Sequence, residues 1–137
     1  MISLFQSQIE YVHQQNMAWI AHLRKLDLDL PWEVKRTLSK ILNSSHIIGF
    51  QLLNKEPESE LEDLIPEMHW EKLEQHNFQI WSDFFASCNA SEDQFAFQYS
   101  PFIFMHLRNN ATYLGELKLL LKQHQIPLLD DQLFTVR

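Results

Sequence analysis

The sequence predicts an all-α domain, and three of its features carry that prediction. Only two glycines and five prolines occur in 137 residues, too few for the many turns of a sandwich or barrel. Apolar residues recur at steps of three, four and seven through four long segments, the spacing of one helical face. The apolar share is 45%, with ten Phe and four Trp, which supplies those faces with core material. A chain of this length suits one domain, residues 1–137, without staples.

The first helix is predicted from about Ser3 to Leu26, with Phe5, Ile9, Val12, Trp19, Leu23 and Leu26 on one face and Asn16 interrupting the stripe. Leu26 to Leu30 alternates like a strand but ends at Pro31, and the residue before a proline avoids the helical region, so this is a connector. The second helix opens near Pro31, which lacks the N–H that would have no partner in a first turn. Glu33 complements the dipole there. Val34, Leu38, Ile41, Ser45, Ile48 and Leu52 form its stripe, and Ser44, Ser45 and Gly49 permit a close helical neighbour.

Asn54 to Met68, with Pro57, Pro66 and the acidic cluster from Glu56 to Glu67, reads as a long loop. The third helix is predicted over about His69 to Ser87, with Trp70, Leu73, Asn77, Ile80, Trp81 and Phe84 buried. Cys88 to Asp93 ends it. Gln94 to Tyr99 alternates and reads as an extended piece or a packed loop. Ser100 as cap with Pro101 behind it starts the fourth helix, which runs to about Gln125. Leu129, Leu133, Phe134 and Val136 predict a C-terminal tail packed on the helices. Four long helices and a tail make a bundle.

Charge and motifs exclude several functions. The formal net charge is −7 and the basic residues are scattered, so no nucleic-acid footprint is visible. The acidic run reads as a solvated loop, with a docking surface for a basic partner as the other reading. No stretch approaches the roughly 18 apolar residues of a membrane span, and the N-terminus lacks a signal-peptide pattern. A single cysteine, Cys88, precludes an intramolecular disulfide and fits a reducing, cytoplasmic setting. Phosphate loops, dinucleotide fingerprints and nucleophile elbows need glycines that this chain lacks.

The most informative anomaly is on the last helix. His106, Asn109 and Tyr113 follow one another at steps of three and four, and Leu117 and Leu120 continue that face as core. An unpaired buried polar group costs about 1–3 kcal/mol, so protein, water or a ligand across the bundle has to satisfy them.

The run Arg108-Asn109-Asn110-Ala111-Thr112-Tyr113-Leu114-Gly115-Glu116-Leu117 resembles the last-helix motif of the DinB family, where two histidines four apart precede Leu-Gly-Glu or Leu-Gly-Gln. Leu38-Ser39-Lys40-Ile41-Leu42-Asn43 is similar to a second-helix segment carrying a histidine before an Ile/Leu pair. Asn16-Met17-Ala18-Trp19, and the ending from Ile126-Pro127-Leu128 through Asp131 to Phe134 and Arg137, extend the resemblance over essentially the whole chain.

The resemblance implies a DinB-type four-helix bundle with a three-histidine metal centre, which in some members activates a thiol such as bacillithiol. Carried over, the ligand positions are Lys40, Asn109 and Tyr113. Lysine repels a divalent ion, and neutral Asn and Tyr are poor zinc ligands, so neither a metal nor another cofactor is expected. Lys40 has two readings: a donor to Asn109 and Tyr113, neutralised by Glu116, or a base or nucleophile with a lowered pKa. His13, His46 and His106, on three helices, form the one trio that could rebuild a metal site; otherwise they are surface or core histidines. His22, His69, His76 and His124 read as structural or exposed.

The expectation is a bundle with a degenerate metal site, lined at its old position by Lys40, Asn109 and Tyr113 with His46, His106 and Glu116 as neighbours. Its role would be to bind a small apolar molecule or act as a scaffold, leaning away from catalysis, with a homodimer as a further expectation. The alternative is a metal-dependent thiol S-transferase or hydrolase with a rebuilt site.

Overall fold

A computed structural model describes residues 1–129, and they are all-helical: among them five α-helices, one 3-10 turn and no strand. The helices are α1 (Ile2–Lys25), α2 (Trp32–Leu52), α3 (Trp70–Ser87), α4 (Glu92–Gln98) and α5 (Ser100–Gln123), with the short turn at Glu67–His69. The tail packing expected of Leu133, Phe134 and Val136 falls outside the described residues.

Gln94 to Tyr99 is neither extended nor a loop, as the alternation suggested. Residues 92–98 form α4, because the Ser91 hydroxyl accepts from the Gln94 N–H and Glu92 and Asp93 sit in the first turn. Phe95 is fully buried while Phe97 is exposed, a contrast that two-residue alternation misreads. Ser100 is not a cap either. It lies inside α5, and its hydroxyl donates to the Ala96 carbonyl.

With so few glycines, three helices end on other residues in the left-handed region. Asp27, Asn54 and Gln125 have φ of 47°, 56° and 56°, each just past the C-cap of α1, α2 and α5. At α2 the Lys55 N–H reaches the Phe50 carbonyl at 2.9 Å, and at α5 the Ile126 N–H reaches Leu121 at 2.8 Å. These are Schellman closures, and the second one turns Ile126 into the core beside Leu121.

Helix α2 is central, packed on α5 and α3, while α1 packs mainly on α3 and approaches α5 more loosely. Gly49 allows the α2–α3 approach: a Cβ there would lie 3.3 Å from Ile80 Cγ2 and 3.5 Å from Trp81 Nε1. Two apolar clusters result. One gathers Trp19, Leu23, Val34, Leu38, Trp70, Leu114, Leu117 and Leu121. The other gathers Phe5, Ile9, Ile48, Trp81, Phe84, Phe95 and Ile103.

Candidate functional site: a buried polar layer and the groove beside it

Between the two clusters each long helix carries buried polar side chains. On α1, Asn16 stands between Ile9 and Trp19. On α3, Glu74 and Asn77 stand between Trp70 and Trp81, and on α5, His106 and Asn110 stand between Ile103 and Leu114. On α2 the corresponding turn holds Asn43, Ser44, Ser45 and His46. The interior is thus a polar layer between two apolar ones; most of its members fall into two networks, while Ser45 accepts from Trp81 Nε1 and His106 stacks on the same ring.

The first network joins α1, α3 and α5. Asn16 Nδ2 donates to Glu74 Oε1 at 2.9 Å and to Asn110 Oδ1 at 2.9 Å, while Asn110 Nδ2 returns a bond to Asn16 Oδ1 at 3.2 Å. The other Glu74 oxygen meets His13 Nδ1 at 2.8 Å, and the His13 ring stacks on Phe78 at 4.1 Å. Burial raises the Glu74 pKa above the usual carboxylate range, and the bonds from His13 and Asn16 oppose that rise.

The second network fastens the long loop to α2. His46 Nε2 accepts from the Glu58 N–H at 3.0 Å, so Nδ1 carries the proton and donates to Asn77 Oδ1 at 3.3 Å. Asn77 Nδ2 in turn donates to the Leu42 carbonyl. Asn43 donates to the carbonyls of Leu61 and Asp63 and accepts from Ser59 Oγ; Ser39 Oγ accepts from the Ile65 N–H. Burial holds the His46 pKa below its ordinary value, with the nearby His76 ring adding to the effect and Asn77 and Glu58 opposing it. These side chains satisfy a loop backbone, which is why a helix buried on most sides tolerates them.

The residues at the expected metal position lie on the α2–α5 contact. Lys40 Nζ sits 5.8 Å from the centroid of the Tyr113 ring, and Asn109 Nδ2 donates to Ser44 Oγ at 3.2 Å. The carboxylate near Lys40 is Glu62 of the loop, at 3.9 Å, while Glu116 is exposed. Asn109 and Tyr113, with Ser44, Ile48 and Leu61, line a cleft of about 210 Å³. An ammonium, an amide and a phenol do not suit a divalent ion. The trio of histidines does not converge: His13 pairs with Glu74, His46 with Asn77, and His106 stacks on Trp81 at 4.8 Å. Among the described residues no group of three His, Cys, Asp or Glu side chains could hold a metal. His106 is buried, and desolvation lowers its pKa to about 4.

Between α1 and α5 runs a second concavity, a groove of about 490 Å³ walled by Val12, Leu107 and Ala111 with Ser7, Gln8, Tyr11 and Gln15 along its edge. Asn110 is also in its lining, so the first network ends at this groove. Periodicity on α5 misplaced the inward face by one residue. The buried line is Ile103, His106, Asn110, Leu114, Leu117 and Leu121, and Asn109 and Tyr113 are half-buried beside it. Glu74 was missed because a lone glutamate at a helical step reads as surface. The interruption at Asn16 was the available signal, since a buried amide requires a polar partner.

The fold and this layer define an all-helical protein with a polar mid-section opening on a lateral groove. No protein family, curated protein or solved structure matches this chain. No helix of the described residues is long and apolar enough to cross a membrane.

Proposed function

We propose that this chain is a divergent DinB-like four-helix bundle, cytoplasmic and non-catalytic, that binds a small, largely apolar molecule. The observation that carries the reading is the α1/α5 groove. Its volume of about 490 Å³ falls within the roughly 300–1,000 Å³ of small-molecule sites, whereas the cleft at Asn109 and Tyr113, about 210 Å³, is below it. An apolar wall with one buried amide in it matches the usual composition of such sites, where few polar groups fix orientation. The alternative, a metal-dependent thiol S-transferase or hydrolase with a rebuilt site, needs His13, His46 and His106 to share a divalent ion, whereas each faces a different partner: Glu74, Asn77 and Trp81.

Two titrations of the purified full chain test this. Nile red, a neutral apolar fluorophore, binds saturably at one site, and Ala111→Trp, which fills the groove from an exposed position, abolishes the signal. Zinc shows no stoichiometric uptake, and Lys40→His/Asn109→His/Tyr113→His gains it. Absence of saturable dye binding removes the ligand-binding reading; stoichiometric zinc on the unaltered chain, or none on the triple variant, removes the degenerate-site reading.

A further inference from the structure

We propose that residues 130–137 of this same chain cover the α1/α5 groove, so that a ligand enters only when they leave it. As control of access the proposal rests on the binding reading above; the contact itself does not.

The first argument is where the chain stands when it leaves α5. Helices α1 and α5 run parallel: the Phe5 and Phe104 rings meet at 5.2 Å near their starts, and Lys118 Nζ lies 5.8 Å from the Trp19 ring centroid near their ends. On α1 the groove follows one face through Gln8, Tyr11 and Gln15. His22, seven residues beyond Gln15, continues that face. There the Pro127 carbonyl accepts from His22 Nε2 at 2.7 Å, and Leu129 packs against the first apolar cluster. At Pro127, then, the chain stands at the far end of the groove's own seam.

Reach and composition are the second. From Leu129 to Phe134 an extended chain covers about 17 Å, and the helical rise from His22 back to Tyr11 is about 16 Å, which brings Phe134 abreast of the groove. Residues 130–137 read Asp-Asp-Gln-Leu-Phe-Thr-Val-Arg, with charge first and apolar side chains after it. Asp130 and Asp131 pass the end of the seam where Lys118 lies over Trp19. Leu133, Phe134 and Val136 then meet the stretch walled by Val12, Leu107 and Ala111, whose lining carries no charge and where Tyr11 is 40% exposed. A tethered segment needs little intrinsic affinity, because the tether raises its effective concentration. A second copy has no such advantage and brings a net charge of −7 against its own.

Two measurements on the full chain test this. Leu133→Ser/Phe134→Ser/Val136→Ser should bind Nile red at least about tenfold more tightly than the unaltered chain, as a groove covered about nine-tenths of the time requires. The second measurement needs no dye and keeps those three apolar residues. In a Cys88→Ser background, Gln8→Cys/Thr135→Cys should close an intramolecular disulfide at least about tenfold faster than Glu10→Cys/Thr135→Cys, because Glu10 is exposed on the side of α1 away from the groove. Unchanged dye affinity in the serine variant, or equal closure rates, overturns the inference and leaves the ligand reading standing. A disulfide that joins two chains assigns the groove to a second copy and overturns it as well. If neither chain binds the dye, the ligand reading falls while the closure rates still decide the contact. Dye bound by the serine variant alone upholds the contact and removes ligand binding by the unaltered chain.

Discussion

Asn16 on α1 and Asn110 on α5, 94 residues apart, hold each other through a reciprocal pair of amide hydrogen bonds, and Asn16 alone carries that pairing onward to the buried Glu74. This makes Asn16 the junction of three helices. It also ties the groove wall to a carboxyl group that is buried in the interior.

Replacing Asn16 by leucine should therefore cost far more than its surface area suggests. Leucine strands Glu74 Oε1 and both functional atoms of Asn110 in the interior, and unsatisfied buried groups of this kind together cost about 3 kcal/mol or more. The double variant Asn16→Leu/Glu74→Leu should recover over half of the loss, because the stranded carboxyl is gone. Urea unfolding of the single and double variants measures this. A single-variant loss below about 0.5 kcal/mol would contradict the network.

Acid should destabilise the fold through His106. Its folded pKa is depressed from 6.5 to about 4, so the unfolded chain takes up a proton there first as pH falls. Stability is complete above 6.5 and declines between 6.5 and about 4, by about 3 kcal/mol in total. His46, also lowered, acts in the same sense. Glu74 acts oppositely: its raised carboxyl favours the folded state until pH rises through the folded pKa. His106→Phe keeps the stack on Trp81 without a titrating group, so its acid midpoint by circular dichroism should move to lower pH. An unchanged or higher midpoint would count against the assignment.

The end of α5 offers a stabilising substitution. Gln125 has φ of 56°, a region that costs an L-residue about 1 kcal/mol and glycine almost nothing. Gln125→Gly should raise thermal stability by about 0.5–1 kcal/mol, while Gln123→Gly, inside the helix two residues earlier, should lower it by about 1 kcal/mol. A melt showing both glycines harmful would refute the Schellman closure at Ile126.

Much of this architecture is legible from local chemistry. Trp32 to Leu52 and Trp70 to Ser87 announce themselves by apolar residues at helical steps, and Pro31 and Pro101 mark where α2 and α5 begin. The errors are equally local in origin. Phe95, Phe97 and Tyr99 alternate, and a seven-residue helix is too short for period to distinguish from a strand. On α5, Asn109 and Asn110 are adjacent amides, and a one-residue error rotates a helix by about 100°, enough to exchange a half-buried residue for the one in the network.

What the chain alone determined is which segments become helical and which of their faces are apolar, because periodicity and capping act within a few residues. The tertiary structure decided how the amides of Asn16, Asn43, Asn77 and Asn110, the Glu74 carboxyl and the His46 ring are satisfied. Asn16 and Asn110 reveal nothing of each other at 94 residues' separation, Glu74 looks like any surface glutamate, and Ser39, Asn43 and His46 could equally have been ligands. Only the approach of α1, α3 and α5 closes one network, and only the loop lying on α2 closes the other. Hydrogen bonds between side chains are set by distances of a few tenths of an ångström across the interior, and no local pattern encodes those distances.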